Sequence, residues 1–376
     1  MRYIDADGHV EESKITFSDS YLDPAFRGQR PRVIGVEGLA YWMIDEQLFP
    51  RRVGRGCNNL GTPATLDDGK PARHSAGKPD SIESMELTDI KARLGAMDEE
   101  GIAVQVLYPT LFLAYPVTSN PAFATALCSS YNRWLGDKLG GNDRLTWAAV
   151  VNFDDIPGAV REVRAAKRLG AVAVMVLGTA GDRQLDDPLL YPFYDAVAEE
   201  DLALGVHVGW AFPGLNNAYT HIYPSGVIAF HIPVLMGFTA LIAGGVLDRY
   251  PTIRVVFLEA GCLWVPFILD RLKHRFESQG KSLPKFIPQT APRQALPPME
   301  YIRRGNLYFS AEVEDFLLPQ VMELVGEQQI VLGTDMPHGD RERFVAGLLQ
   351  KRNDITGNAK TNILEKNPAR LYRIPP

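Results

Sequence analysis

The chain has 376 residues, 46 % of them hydrophobic and 22 % charged, and a formal net charge of -6. That is the composition of a soluble globular protein large enough to bury its core without a structural staple, and it lacks the basic stripe that nucleic-acid binders present to phosphates. Its apolar runs fall short of the 18 or so residues a membrane span requires, and its three cysteines (Cys57, Cys128, Cys262) are too far apart for a thiolate zinc site or a disulfide framework.

The first strand is predicted at Tyr3–Ala6. The acidic opening MRYIDADGHVEES has no charged and apolar pattern of a secretion signal, so a cytoplasmic protein is expected. Residues 12–80 read as a folded insertion, with Gly, Pro and Asn gathered between Arg55 and Pro79. A helix follows at Ser84–Glu100, stopped by Gly101, and then strands at Ala103–Tyr108 and Leu145–Val151. A helix at Asp155–Leu169 opens on Asp and Pro, and the fourth strand is Ala171–Val176. Asp187–Glu200 is helical, Ala203–His207 is the fifth strand, and Pro233–Tyr250 runs as a helix up to Pro251.

Ile253–Leu258, a helix at Leu263–Ser278, Asn306–Ser310 and Ile330–Gly333 complete the set. A Pro- and Gln-rich stretch, Lys281–Met299, reads as an extended arm or a subunit contact. The strands are short and apolar without alternation, as parallel strands covered on both faces are. Eight of them, alternating with helices, predict a single-domain α/β protein: a (β/α)8 TIM barrel with an insertion after the first strand.

The chemistry gathers at strand ends. Asp7 and His9 are two apart, so they face one direction at the mouth of the first strand and offer an oxygen and a nitrogen to a divalent metal. His207 closes the fifth strand. Asp335 follows Gly333-Thr334 at the end of the eighth, next to the first in a closed barrel. Asp340 is the expected cap of the helix after it, which leaves Asp335 free for chemistry.

With these residues the chain resembles the amidohydrolase-related proteins, the branch of the amidohydrolase superfamily that holds the aminocarboxymuconate semialdehyde and resorcylate decarboxylases. The likeness extends to Met97-Asp98-Glu99-Glu100-Gly101-Ile102, Tyr131-Asn132-Arg133-Trp134 and Asn367-Pro368-Ala369-Arg370-Leu371-Tyr372, and so spans nearly the whole chain. It implies one divalent metal, zinc or manganese, on Asp7, His9, His207 and Asp335, with Asp335 also the acid/base. Two departures matter. The fourth strand, Ala173-Val174-Met175-Val176-Leu177, has no Lys or Glu to bridge two metals. The sixth ends in Leu258-Glu259-Ala260-Gly261, a carboxylate where the decarboxylases tend to carry a histidine.

Around this set stand further candidates. His231 is a second proton donor, or a ligand with Glu259 in a two-metal site. His338 is expected beside the metal or facing substrate, and Glu12 as a further ligand or a salt-bridge partner of the insertion. Arg51, Arg52 and Arg55 read first as a solvated basic loop, with recognition of a substrate carboxylate as the alternative. His74, His221 and His274 read as surface or structural. The expected function is hydrolysis or non-oxidative decarboxylation of a small carboxylate- or amide-bearing compound. One alternative is an iron or manganese oxygenase resembling the 2-aminoisobutyrate hydroxylase system. The other is a metal-retaining, non-catalytic partner subunit. The expected partners are a small-molecule substrate and other subunits, in a homo-oligomer or with a homologous chain.

Overall fold

The computed structural model describes residues 2–72, 80–278 and 293–375. His74 and most of the expected arm at 281–299 lie outside them. Eight parallel strands form one sheet in sequence order: β1 (Tyr3–Val10), β2 (Ile102–Pro109), β3 (Leu145–Val150), β4 (Ala173–Leu177), β5 (Ala203–His207), β6 (Val255–Leu258), β7 (Leu307–Ala311) and β8 (Ile330–Leu332). The ring is closed just beyond β8, where the amides of Thr334 and Asp335 donate to Asp7 O and that of His9 donates to Met336 O. This is the (β/α)8 barrel, and its functional face is the end at which the strands finish.

The helices form where the sequence supplies their ends. Asn120 accepts the amides of Ala122 and Phe123 to start α2 (Pro121–Leu139), and Asp155 accepts Gly158 N to start α3 (Ile156–Arg168). Gly101, at φ 73°, closes α1 (Ile90–Glu100) in the left-handed region where a Cβ is costly. Aromatic side chains lock later helices to the sheet: Phe238 of α4 (Ile232–Ala243) lies edge-on to Phe257 of β6, which stacks on Phe309 of β7.

Several boundaries differ from the sequence reading. β1 runs on to Val10, so Asp7 and His9 sit inside the strand, and four residues of β1 from Asp5 to Gly8 lie opposite three of β2 from Gln105 to Leu107. That bulge turns the strand where its side chains must be aimed. The expected Ser84–Glu100 helix is two pieces, Ile82–Met85 and α1, divided at Leu87, whose φ is 50°. Gly244 and Gly245 likewise divide Pro233–Tyr250. Asp340 caps nothing: the next helix, Val345–Lys351, starts from Phe344 with no side-chain cap. Residues 12–80 contain a three-stranded antiparallel sheet, Arg32–Val36, Leu39–Ile44 and Gln47–Phe49.

Ile222–Ala243 exceeds the expected length of apolar segments. These 22 residues form one helical stretch long and apolar enough to cross a bilayer by length and composition. The sequence divides at His231 and Pro233, but a π turn at Gly226–Phe230 carries the helix through. In its second half Val234, Phe238 and Leu241 are buried against the barrel.

Candidate functional site

β1 supplies Asp7 and His9, β5 supplies His207, and the turns after β6 and β8 supply Glu259 and Asp335. The last two adopt φ 58° and φ 55°, a left-handed backbone that non-glycine residues seldom hold except where a side chain must be aimed. The five come together. Asp7 Oδ1 lies 3.5 Å from His9 Nε2 and 3.3 Å from His207 Nε2. Glu259 Oε2 lies 3.8 and 3.4 Å from the same two nitrogens, and Asp335 Oδ1 lies 3.5 Å from His9 Nε2. One ligand atom each from Asp7, His9, His207 and Glu259 falls within 4.8 Å of the others, as do those of His9, Glu259, Asp335 and His338.

The hydrogen bonds of the two rings make the cluster a candidate cation site. His9 Nδ1 is 3.0 Å from Pro109 O and His207 Nδ1 is 3.0 Å from Val208 O. A carbonyl can only accept, so both Nδ1 atoms carry hydrogen, and in the neutral rings both Nε2 lone pairs point inward. There they face carboxylate oxygens, and His9 Nε2 and Glu259 Oε2 are buried without a hydrogen-bond partner. Lone pairs converging on lone pairs repel unless a cation lies between them. A nitrogen–oxygen donor set of this kind suits zinc, manganese or iron.

The electrostatics follow the same geometry. Burial works against charge on Asp7, yet His207 and His9 hold its carboxyl well below the ordinary range. His207 is raised despite burial, because the Asp7 carboxylate favours its charged form. His9 is lowered by burial and by His338. Burial, with repulsion from Asp335 and Asp7, pushes Glu259 well up, and burial carries Asp335 to about 7.

His338 lies beside the cluster. Its Nδ1 is 2.5 Å from Asp335 Oδ1 and its Nε2 is 3.0 Å from Thr110 Oγ1. Because the Thr110 hydroxyl donates to Val10 O, it can only accept from His338, so Nε2 carries a hydrogen. His338 Nδ1 is then left facing the Asp335 carboxyl at 2.5 Å. Such a pair can share a proton, a role the sequence did not give to His338.

Glu12 is not in the cluster. Its carboxylate accepts the amides of Thr110 and Leu111 at the end of β2, and burial raises it to about 8. It organises a loop and is neither ligand nor salt bridge, because donors from β2 reach it before any metal or arginine could. His231 stands apart as well: its Nδ1 bonds Gly226 O at 2.8 Å inside the π turn, and its ring lines the mouth. Gly178 fixes that placement, since a Cβ there would come within 1.6 Å of Pro233 O. His221 caps the helix it begins, at Tyr223 N.

Two chambers open above the cluster and meet at His231, Glu259 and Asp340. One, about 550 Å³, is walled by Leu60, Leu113, Trp210, Phe230 and Val227, and Arg52 lines it. Arg52 packs its guanidinium 5.1 Å over Tyr41, and its Nε is buried without an acceptor. The other chamber, about 460 Å³, is acidic, with Glu312, Glu314, Asp315 and Asp340. Sequence reasoning missed Asp5, Arg93, Gln105 and Thr110, which hold the cluster from behind. A glutamine inside the apolar strand Ala103–Tyr108 was the available signal.

The amidohydrolase family matches residues 4–374. The chain belongs to that family. Within it, a relative from Dictyostelium discoideum, 2-amino-3-carboxymuconate-6-semialdehyde decarboxylase, is 23 % identical over 291 residues, 77 % of each chain. An amidohydrolase structure from Mycobacterium avium subsp. paratuberculosis superposes with a TM-score of 0.78 over 99 % of both chains at 22 % identity. 5-Carboxyvanillate decarboxylase from Novosphingobium aromaticivorans, solved with manganese and 4-hydroxy-3-methoxy-5-nitrobenzoic acid, gives a TM-score of 0.71 at 17 % identity, over 99 % of this chain and 96 % of that one.

Proposed function

We propose that this amidohydrolase-family chain is a metal-dependent, non-oxidative decarboxylase of a small aromatic carboxylate. The reading rests most on the Asp335–His338 pair, in contact at 2.5 Å beside a ligand cluster at the floor of an apolar chamber. The decarboxylases among its relatives favour this reaction over hydrolysis and over dioxygen chemistry. Asp7, His9 and His207, with Asp335 or Glu259, would hold the divalent ion, manganese or zinc. When bound, such an ion draws in the substrate carboxylate and offsets the negative charge of the cage.

The chain's own residues account for the rest. Trp210, Phe230 and Leu113 offer flat apolar walls to a ring, and the Arg52 guanidinium meets a second anionic or phenolic group. Asp335 lies 2.5 Å from His338 Nδ1, which can hand it a proton, and is the acid in this reading. It delivers its proton to the ring carbon that bears the carboxylate. The carbon–carbon bond then breaks, its electron pair stays with the ring, and carbon dioxide leaves. Proton delivery by a positioned group contributes roughly 10²–10⁴ in rate.

The test is to load the protein with manganese and offer carboxylated phenols, 5-carboxyvanillate and 2,6-dihydroxybenzoate first, in deuterated water. The expected result is carbon dioxide release with one deuterium at the vacated carbon, abolished in Asp335→Asn. Cleavage of amides or lactones with no carbon dioxide from any carboxylate would replace this reading with the hydrolytic one.

A further inference from the structure

Arg93 lies on α1, is not among the residues lining the two chambers, and is fully buried. Among the described residues no carboxylate lies within ion-pair distance of it, whereas the other buried arginine of this region, Arg341, is neutralised by Glu100 and Asp80 at 2.7 and 3.0 Å. A cation buried without a carboxylate partner is costly, so what its donors do is informative. Nη2 donates to His9 O at 2.7 Å and to Met336 O at 3.0 Å, and Nε donates to Gln105 Oε1 at 2.9 Å.

Those acceptors belong to the backbone on which the cluster is mounted. His9 is one candidate ligand, and Met336 directly follows another, Asp335. Met336 O also takes His9 N at 2.6 Å, and Asp335 N donates to Asp7 O at 2.8 Å. Gln105 passes the tie onward, donating to Asp5 Oδ2 at 2.6 Å. Asp5 in turn accepts Thr334 N at 2.9 Å and Asp7 N at 3.2 Å. Glycines make room for this: a Cβ on Gly8 would come within 2.5 Å of the Gln105 side chain, and one on Gly333 within 2.5 Å of Asp7 Cβ.

We propose that Arg93 is a positioning residue for the metal centre, a buried clasp that sets the separation of the β1 and β8 ligand segments. The proposal rests on the metal reading above. It makes a prediction opposite in sign to charge alone. Removing a nearby positive charge should by itself tighten binding of a cation, whereas releasing the clasp should loosen it. Lysine can reach a carbonyl but cannot hold both carbonyls and Gln105 with one planar fork, so it should recover only part of the function.

The experiment titrates manganese into the full-length, chelator-stripped protein and follows free and bound ion by electron paramagnetic resonance. Wild type is compared with Arg93→Met, Arg93→Lys and Arg341→Met, with folding checked by circular dichroism. Expected is a manganese affinity roughly 10–100-fold weaker in Arg93→Met, the range for outer partners of ligands, with a changed bound-ion spectrum. Arg93→Lys should fall between it and wild type, and Arg341→Met should lose thermal stability without losing affinity. Gln105→Leu, which cuts one leg of the clasp, gives the same comparison if Arg93→Met does not fold. Unchanged or tighter binding in Arg93→Met would overturn the clasp and leave the metal reading standing. So would an equal loss in Arg341→Met. Wild-type protein that takes up no manganese, zinc or iron would overturn the metal reading itself, and the clasp with it.

Discussion

The β1–β8 junction and the segment Ile222–His231 face each other across the same mouth and are built on opposite rules. At the junction the backbone groups of Asp7, His9, Thr334 and Asp335 are tied to a neighbour, and buried Asp5, Gln105 and Arg93 stand behind them. Across the cavity, Ile222–Phe230 carries no acidic or basic side chain, is wound partly as a π turn, and leaves Tyr223 77 % exposed. The first region holds chemistry in place with polar ties that tolerate little movement. The second shapes a pocket with apolar surface that can be exchanged. Reaction type is therefore expected to reside in the junction and substrate choice in the opposite wall.

The sharpest way to break that contrast is at a ligand. His207→Ala should lower metal affinity by more than the roughly 10–100-fold that an outer partner costs, while circular dichroism stays native. A full complement of metal in that variant would remove His207 from the site. Next in size is Gly333→Ala. A Cβ 2.5 Å from Asp7 Cβ must push β8 from β1, at a cost of about 1–3 kcal/mol, read as a lower denaturant midpoint. A matching loss of metal would show that the spacing of the two strands is what the site depends on.

On the pocket side, Arg52→Met keeps the packing over Tyr41 but loses the charge. It should raise KM roughly tenfold or more, the worth of one charged hydrogen bond, with kcat little changed. A fall in kcat alone would move Arg52 into the reacting group. The smallest effect concerns Glu12. Its folded-state pKa is raised to about 8, so its contribution is fully present below the unfolded value near 4.5 and is lost as pH climbs through 8. Glu12→Gln should therefore melt higher relative to wild type at pH 9 than at pH 5. No pH dependence of that difference would mean that Glu12 stays ionised in the fold.

Glu12 and Glu259 mark how far the sequence could be read. Both are glutamates near strand ends, and both were candidate ligands. The difference is that β2 brings two amides to Glu12, whereas a left-handed backbone after β6 aims Glu259 at two imidazoles. Neither event is local in sequence, since Thr110 is 98 residues from Glu12.

The sequence by itself determined the eight strands, because apolar runs buried on both faces are a local pattern. It also brought Asp7, His9, His207 and Asp335 to one end of the barrel, because each follows or ends such a run. Only the tertiary structure decided the bulge in β1, the exclusion of Glu12, the contact of Asp335 with His338, and the reach of Arg93. Strand formation and side-chain parity depend on neighbours one or two residues away. Which donor meets which acceptor depends on segments that return from far along the chain, as Thr334 does to Asp5 across 329 residues.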